Sequence, residues 1–159
     1  MSVQNIVLLT AGIINLIMSI FIFSRGWKNK VNLYFSLLTL FTFFWATSLA
    51  LANVFIGDIW RLFAQLAYPA SLGIAIFLFF FTHHFPFRQK KINGATKYLI
   101  WIPAIFFSTI IFIDKVFITH FDQNLTGVFY KLEYNNVLYI LFAVYFFVVV
   151  LAAVYNLIN

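Results

Sequence analysis

The sequence predicts an all-α fold, a polytopic membrane helix bundle with about five transmembrane helices. Hydrophobic residues make up 64% of the 159 residues and charged residues only 9%, whereas about a quarter of a soluble domain is charged. The charges fall in short segments between long apolar runs, and about 20 apolar residues in a helix cross the core of a bilayer. We therefore expect residues 1–159 to form a single transmembrane domain.

Five apolar runs are the candidate spans, with approximate bounds 6–23, 31–55, 60–85, 98–113 and 134–158. The first ends at a basic turn with Gly26 and Trp27, a helix breaker and an interfacial aromatic residue. The fourth is the weakest, because residues 98–113 reach only about 24 Å at 1.5 Å per residue, against a core of about 30 Å. Snorkelling by Lys97 and Lys115 extends it in this interpretation.

The connection between the fourth and fifth runs, residues 114–133, is the longest outer segment. Its apolar residues Phe117, Phe121 and Leu125 recur every fourth position, which is the spacing of one helix face. This pattern predicts a short helix that lies on the membrane surface.

The distribution of charge predicts the orientation of the bundle. Cytoplasmic loops collect Lys and Arg, so we expect the N-terminus outside and the C-terminus in the cytoplasm. All four acidic residues fall outside in this arrangement, together with three of the ten basic residues. The topology-determining residues on the cytoplasmic side are Arg25, Lys28, Lys30, Arg88, Lys90, Lys91 and Lys97.

The net charge of +6 does not imply a nucleic-acid partner. The basic residues lie in short loops beside apolar spans, where topology and anionic lipid headgroups account for them. A nucleic-acid partner would require a folded basic module, and we expect none. The lipid bilayer is the partner that the composition predicts.

Catalysis requires titratable groups that converge in a protected site. The interiors of the five predicted spans contain no Asp, Glu, Lys or Arg, which argues against a proton pump, an ion-coupled transporter and an intramembrane protease. The chain also has no Cys, so it cannot form a thiolate metal site. We expect no catalytic residue, no metal and no cofactor.

Polar residues within the spans have two interpretations. Asn15, Asn53 and Gln65 can hydrogen-bond between helices as structural contacts. Alternatively, Pro69 kinks the third span, because it frees a backbone carbonyl, and a kink can border a cavity. In that interpretation the ligand-facing candidates are Gln65, Tyr68, Pro69 and Trp45.

His83 and His84 lie at the cytoplasmic end of the third span. Neighbouring residues on a helix point about 100° apart, so the pair is poorly placed to chelate one metal ion. Structural interfacial histidines are the simplest interpretation, and a pH-sensing role is the alternative because His titrates near neutrality.

Several short patterns resemble one family. They are Phe43-Phe44-Trp45-Ala46 in the second span, Trp60-Arg61-Leu62 and Ala67-Tyr68-Pro69 in the third, the aromatic run 77–81, Ile102-Pro103-Ala104 in the fourth, and residues 127–130 before the fifth. Their order is similar to the N-terminal seven-transmembrane sensor region of bacterial histidine kinases, and the resemblance covers the first five spans.

The resemblance implies a sensory input module of a two-component receptor in the inner (plasma) membrane. It also implies that a homodimer is a possible assembly. It implies two further spans and a kinase output domain in cis, neither of which these 159 residues contain. We therefore expect any kinase activity to reside in a downstream domain. The sequence ends within the fifth span, which favours the front part of a longer receptor over a reduced relative.

Two other functions remain open at the level of sequence. Spans with Pro69 and Pro103 but no buried charge are compatible with a small permease-like protein for neutral or lipid-like substrates, although five spans offer no inverted repeat. A structural subunit bound to a membrane partner is the other alternative.

Overall fold

The computed structural model describes residues 2–55, 58–85, 92–113, 115–123 and 130–158. In chain order its elements are α1 (Val3–Gly26), α2 (Lys30–Ala52), α3 (Asp58–His84), α4 (Gly94–Ile110), β1 (Ile118–Gln123), β2 (Tyr130–Tyr134) and α5 (Asn136–Ile158). The predicted all-α bundle is confirmed, with a two-stranded hairpin as an addition to it.

Four of the helices in the described residues are long and apolar enough to cross a membrane: α1, α2, α3 and α5. The shorter apolar helix α4 has 17 residues, which agrees with the weak fourth span of the sequence. The chain is thus a multi-pass membrane protein by the length and composition of its helices. Which end of the bundle faces the cytoplasm stays a prediction from the charge distribution.

Polar side chains set the starts of three helices. Ser2 accepts a hydrogen bond from the backbone N–H of Asn5 at the start of α1. Asn29 accepts from Val31 at the start of α2, and Asn93 caps α4 in the same way. Each cap satisfies one of the N–H groups that a helix start leaves unpaired, which stabilises a helix by about 1 kcal/mol.

The segment between α4 and α5 contains an antiparallel hairpin in which Ile118 pairs with Tyr134 and Gln123 with Tyr130. The predicted surface helix over 114–133 is therefore wrong. Residues 130–134 alternate aromatic or apolar with charged residues, and this period of two is the pattern of a strand. The prediction of a helix is based on the apolar residues Phe117, Phe121 and Leu125, which recur at every fourth position. Leu125 itself lies outside the described residues.

Helix α3 is the centre of the bundle. It packs against α2 and α5 and more lightly against α4, and 56% of its span is buried, against 11% for α1. Small residues allow the close approach of α2. A Cβ added at Gly73 would lie 1.9 Å from a ring carbon of Phe41, so only a residue without a side chain fits under that ring.

Helix α1 makes its main contacts with α2. Its buried face consists of Asn5, Gly12 and Ser19, at intervals of seven residues. The Ser19 hydroxyl donates to the backbone carbonyl of Ser36 at 2.8 Å. The side-chain amide of Asn53 donates to that of Asn5 at 3.2 Å, so polar contacts fix this pair of helices where the hydrophobic effect is weak.

Two hydrophobic clusters follow one another along α3 and α5. One joins Leu72 of α3 to Phe142 of α5, together with Phe107, Ile111, Phe117 and Ile118. The other joins Phe80 to Val149 and Ala153 and includes Ala75, Ile76, Phe79, Ile100 and Ala104. The core therefore runs without a break from the hairpin toward the end of α3.

The helix contacts define two ends of the bundle. At one end, which we call the hairpin end, the start of α1 meets the end of α2 through Asn5 and Asn53. At the other, which we call the basic end, the ring of Tyr34 near the start of α2 lies 5.1 Å from that of His84 at the end of α3. Among the described residues, Arg25, Lys28, Lys30 and Lys97 lie at this end.

Candidate functional site

Gln65 is buried on α3, and its side-chain amide donates to the backbone carbonyl of Ile111 at 2.9 Å. This contact ties α3 to the segment that follows α4. Pro69 lies inside α3 and has no N–H to donate, so the carbonyl of Gln65 lacks its usual helical partner. The predicted polar contact of Gln65 between helices is thus present. Asn53 also makes one, whereas Asn15 donates within its own helix, to the carbonyl of Ala11.

Tyr68 lies at the meeting point of α3, the hairpin and α5. Its ring packs edge-on against Phe117 at 5.5 Å, Phe142 at 5.6 Å and Tyr134 at 6.2 Å between ring centroids. Its hydroxyl lies 2.5 Å from the hydroxyl of Tyr134. We call these four residues the junction cluster.

The hairpin is fixed to the bundle through the junction cluster. Phe117, which precedes β1, is completely buried, and its backbone carbonyl accepts from the N–H of Asn135 at 2.9 Å. Across the strands, Thr119 donates to the carbonyl of Glu133. A displacement of β2 must therefore move Tyr134 and, through the paired hydroxyls, Tyr68 of α3.

Burial raises the pKa of Tyr134 above its ordinary value. The phenol thus stays neutral over the physiological range and can both donate and accept a hydrogen bond. The paired hydroxyls form a neutral link between the hairpin and α3.

Trp45, the fourth predicted ligand-facing residue, is exposed on α2 with 36% of its surface accessible. None of the described ring contacts joins it to the junction cluster. The structure thus brings Gln65, Tyr68 and Pro69 together on α3 and leaves Trp45 apart from them.

Sequence reasoning missed three members of the junction cluster: Phe117, Tyr134 and Phe142. The predicted surface helix contains Phe117, and the fifth predicted span begins at Tyr134. The alternation in residues 130–134 was the signal available for Tyr134. The sequence contains no such signal for Phe142, because α5 is apolar on all sides.

The two histidines lie in the last turn of α3, at the basic end. The Nδ1 atom of His84 is 2.8 Å from the carbonyl of Phe80, and His83 stacks on Phe79 at 6.1 Å. The two imidazole rings are 5.5 Å apart and nearly perpendicular. Among the described residues, no group of three or more His, Cys, Asp or Glu side chains could hold a metal ion.

The topology-determining residues that the structure describes surround this end. Lys30 is the first residue of α2, Lys97 lies in the first turn of α4, and Lys28 is exposed in the turn between α1 and α2. The Arg25 guanidinium lies over the ring of Phe21 at 4.6 Å, a favourable cation–π geometry. The remaining three, Arg88, Lys90 and Lys91, lie outside the described residues.

No known protein family, no curated protein and no solved structure matches this chain. The similarity to histidine kinase sensor regions therefore depends on the short residue patterns alone and stays a prediction.

Proposed function

We propose that this chain is a membrane-embedded sensory input module of a two-component-type receptor. A change at the hairpin end would pass through the bundle to the basic end. The observation that carries the proposal is the junction cluster, in which β2 of the hairpin hydrogen-bonds to the central helix α3.

The path between the two ends consists of packed side chains. Tyr145 and Phe146 of α5 pack against both hydrophobic clusters, and the Tyr145 hydroxyl donates to the carbonyl of Ile100 in α4. Packed cores shift between discrete arrangements and do not deform continuously. A stimulus that binds two such arrangements with different affinities would change their populations.

A chimeric receptor tests the proposal. In it this chain replaces the first five spans of a seven-span histidine kinase, and autophosphorylation is measured in membrane vesicles over a panel of stimuli. Output that changes with one stimulus, and loses that dependence in the Tyr134→Phe variant, supports the proposal. Constant output under every stimulus, in a chimera that still autophosphorylates, contradicts it.

A structural subunit of a membrane complex is the second candidate, and the surface of α1 favours it. Only 11% of the α1 span is buried, and Ile13, Ile17 and Phe21 are more than half exposed. Lipid or a partner helix must cover these side chains. Purification in a mild detergent distinguishes the two functions, because a stoichiometric partner that remains bound after washing favours the subunit. Absence of solute flux in liposomes argues against a permease.

A further inference from the structure

Three helices bring basic and imidazole side chains together at the basic end. Lys30 comes from α2, His83 and His84 from α3, and Lys97 from α4. The ring of Tyr34, one turn after Lys30, lies 5.1 Å from that of His84, and Ile100, about one turn after Lys97, packs in the same cluster as Phe80. All four acidic residues of the chain belong instead to the start of α3 or to the segment 114–133. Positive charges gathered at one end of a bundle repel one another unless an anion balances them.

The backbone adds positive potential at the same place. Both α2 and α4 begin at this end, and the side chains of Asn29 and Asn93 each pair with one N–H of the first turn. The other N–H groups of a helix start point outward, and the helix macrodipole places partial positive charge there. Side chains and backbone thus favour the same kind of ligand, an anion with several oxygen atoms.

The depth of the cluster indicates where the anion comes from. Lys30 and His84 are terminal residues of membrane-spanning helices, so they lie at the level of lipid headgroups. Next to Lys97, Tyr98 and Leu99 are 69% and 74% exposed. The exposed apolar face continues along α4 with Ile102 and Ile105. A basic head followed by an apolar stripe matches a phospholipid better than it matches free phosphate.

Helix α5 provides an independent observation. The side-chain nitrogen of Asn156 is buried and has no hydrogen-bond partner among the described residues. Asn156 lies about one turn beyond Ala153, which packs in the same cluster as Phe80 and Ile100. A buried donor without an acceptor is destabilising, and an oxygen atom of a lipid headgroup or ester would satisfy it.

We propose that the basic end binds the headgroup of an anionic phospholipid. The phosphate lies between Lys30 and Lys97 beside His84, and the acyl chains follow the exposed face of α4. The site joins α2, α3 and α4 around one ligand, so it does more than anchor the bundle by general attraction to a charged membrane.

Competition between two lipids tests this site. The purified chain in a mild detergent is mixed with equal amounts of phosphatidylglycerol and phosphatidylcholine, and native mass spectrometry measures the bound lipid. We expect the wild-type chain to retain phosphatidylglycerol preferentially. The K30Q/K97Q double variant should lose about tenfold or more of that preference, since each basic residue near the surface contributes to it.

The R25Q/K28Q double variant is the matched control. It removes two positive charges from the same end of the bundle, but Arg25 belongs to α1 and Lys28 to the turn after it, outside the three helices of the proposed site. Lys30 and Lys97 are both exposed, so their substitution is not expected to unfold the chain. Circular dichroism verifies this, and a K97Q single variant, with an intermediate loss expected, repeats the test independently.

Three outcomes overturn the proposal. Equal retention of the two lipids by the wild-type chain excludes a site for anionic lipid. An equal loss of preference in K30Q/K97Q and R25Q/K28Q shows general attraction to the charge of this end. Displacement of the bound lipid by excess inorganic phosphate shows that the site takes a free anion and that the lipid is not its ligand.

Discussion

The two ends of the bundle differ in the chemistry of their side chains. At the hairpin end, buried aromatic rings and neutral hydroxyls join the hairpin to α3 and α5, with Phe117 fully buried. At the basic end, a hydrophobic cluster around Phe80 is accompanied by exposed lysines at the starts of α2 and α4. The arrangement at the hairpin end depends on packing and is insensitive to salt. The basic end also carries positive charge, so ions, lipids and ionic strength can change its interactions.

Removal of a ring from the junction cluster is the most severe test of this contrast. Phe117→Ala should lower the free energy of unfolding by about 3–5 kcal/mol, because it leaves a cavity between α3, α5 and the hairpin. Phe147→Ala, on the exposed face of α5 with 63% of the side chain accessible, is the control and should cost under about 1 kcal/mol. Denaturant titration in detergent micelles measures the free energy of unfolding of both variants. Equal losses of stability would show that Phe117 and the hairpin are not part of the packed core.

The midpoint of the bundle is tested by Gly73→Ala. The added methyl group would meet the ring of Phe41 at 1.9 Å, so α2 and α3 must separate or the ring must rotate, at a cost of about 1–3 kcal/mol. The control is Gly94→Ala, where an added Cβ has nothing within 4 Å. Thermal unfolding compares the two variants. An unchanged unfolding temperature for Gly73→Ala would mean that the ring of Phe41 moves freely.

The hydroxyl link predicts a smaller loss. Tyr134→Phe leaves the hydroxyl of Tyr68 without its partner and should cost about 1 kcal/mol. Tyr139→Phe is the matched control, because Tyr139 stacks on Tyr134 at 4.7 Å between centroids but is 41% exposed. Hydrogen exchange of the backbone amides in β1 and β2 should speed up in the first variant only. The same rate in both variants would show that the hydroxyl pair does not fix the hairpin.

The basic end predicts the smallest effect. In lipid-free detergent at low salt, Lys97→Gln should raise the free energy of unfolding by roughly a few tenths of a kcal/mol, because it relieves repulsion among the positive charges at this end. At about 1 M salt the gain should vanish, since charges are screened beyond about 3 Å. Lys115→Gln at the other end provides the comparison. A gain that persists in high salt would point to packing as its source.

The helices can be predicted from the sequence, but the contacts of the junction cluster cannot. Long apolar runs and the basic turns gave all five helices, and even the short fourth one, because length and charge are local properties. The junction cluster joins Tyr68 to residues more than 45 positions away, and a single sequence does not show which distant aromatic rings meet. The hairpin could have been predicted from the alternation in residues 130–134, which the spacing of Phe117 and Phe121 obscured.

The candidate residues divide in the same way. His83 and His84 lie in the last turn of α3, and the end of this helix can be predicted from the charges that follow it in the sequence. Gln65 and Tyr68 were selected for their position near Pro69, but their partners Ile111 and Tyr134 were not foreseen. Such partners depend on how α4 and the hairpin fold back onto α3, which is a property of the tertiary structure.

The central claim is that a change at the hairpin end reaches the basic end. Because the chain has no Cys, a single Phe85→Cys substitution next to the end of α3 places one trifluoromethyl label there, on a side chain that is 43% exposed. Fluorine NMR of this label in lipid nanodiscs is the direct measurement. We expect Tyr134→Phe to shift the resonance or change its populations, while Tyr139→Phe leaves it as in the parent. Identical spectra for all three proteins would contradict communication between the two ends.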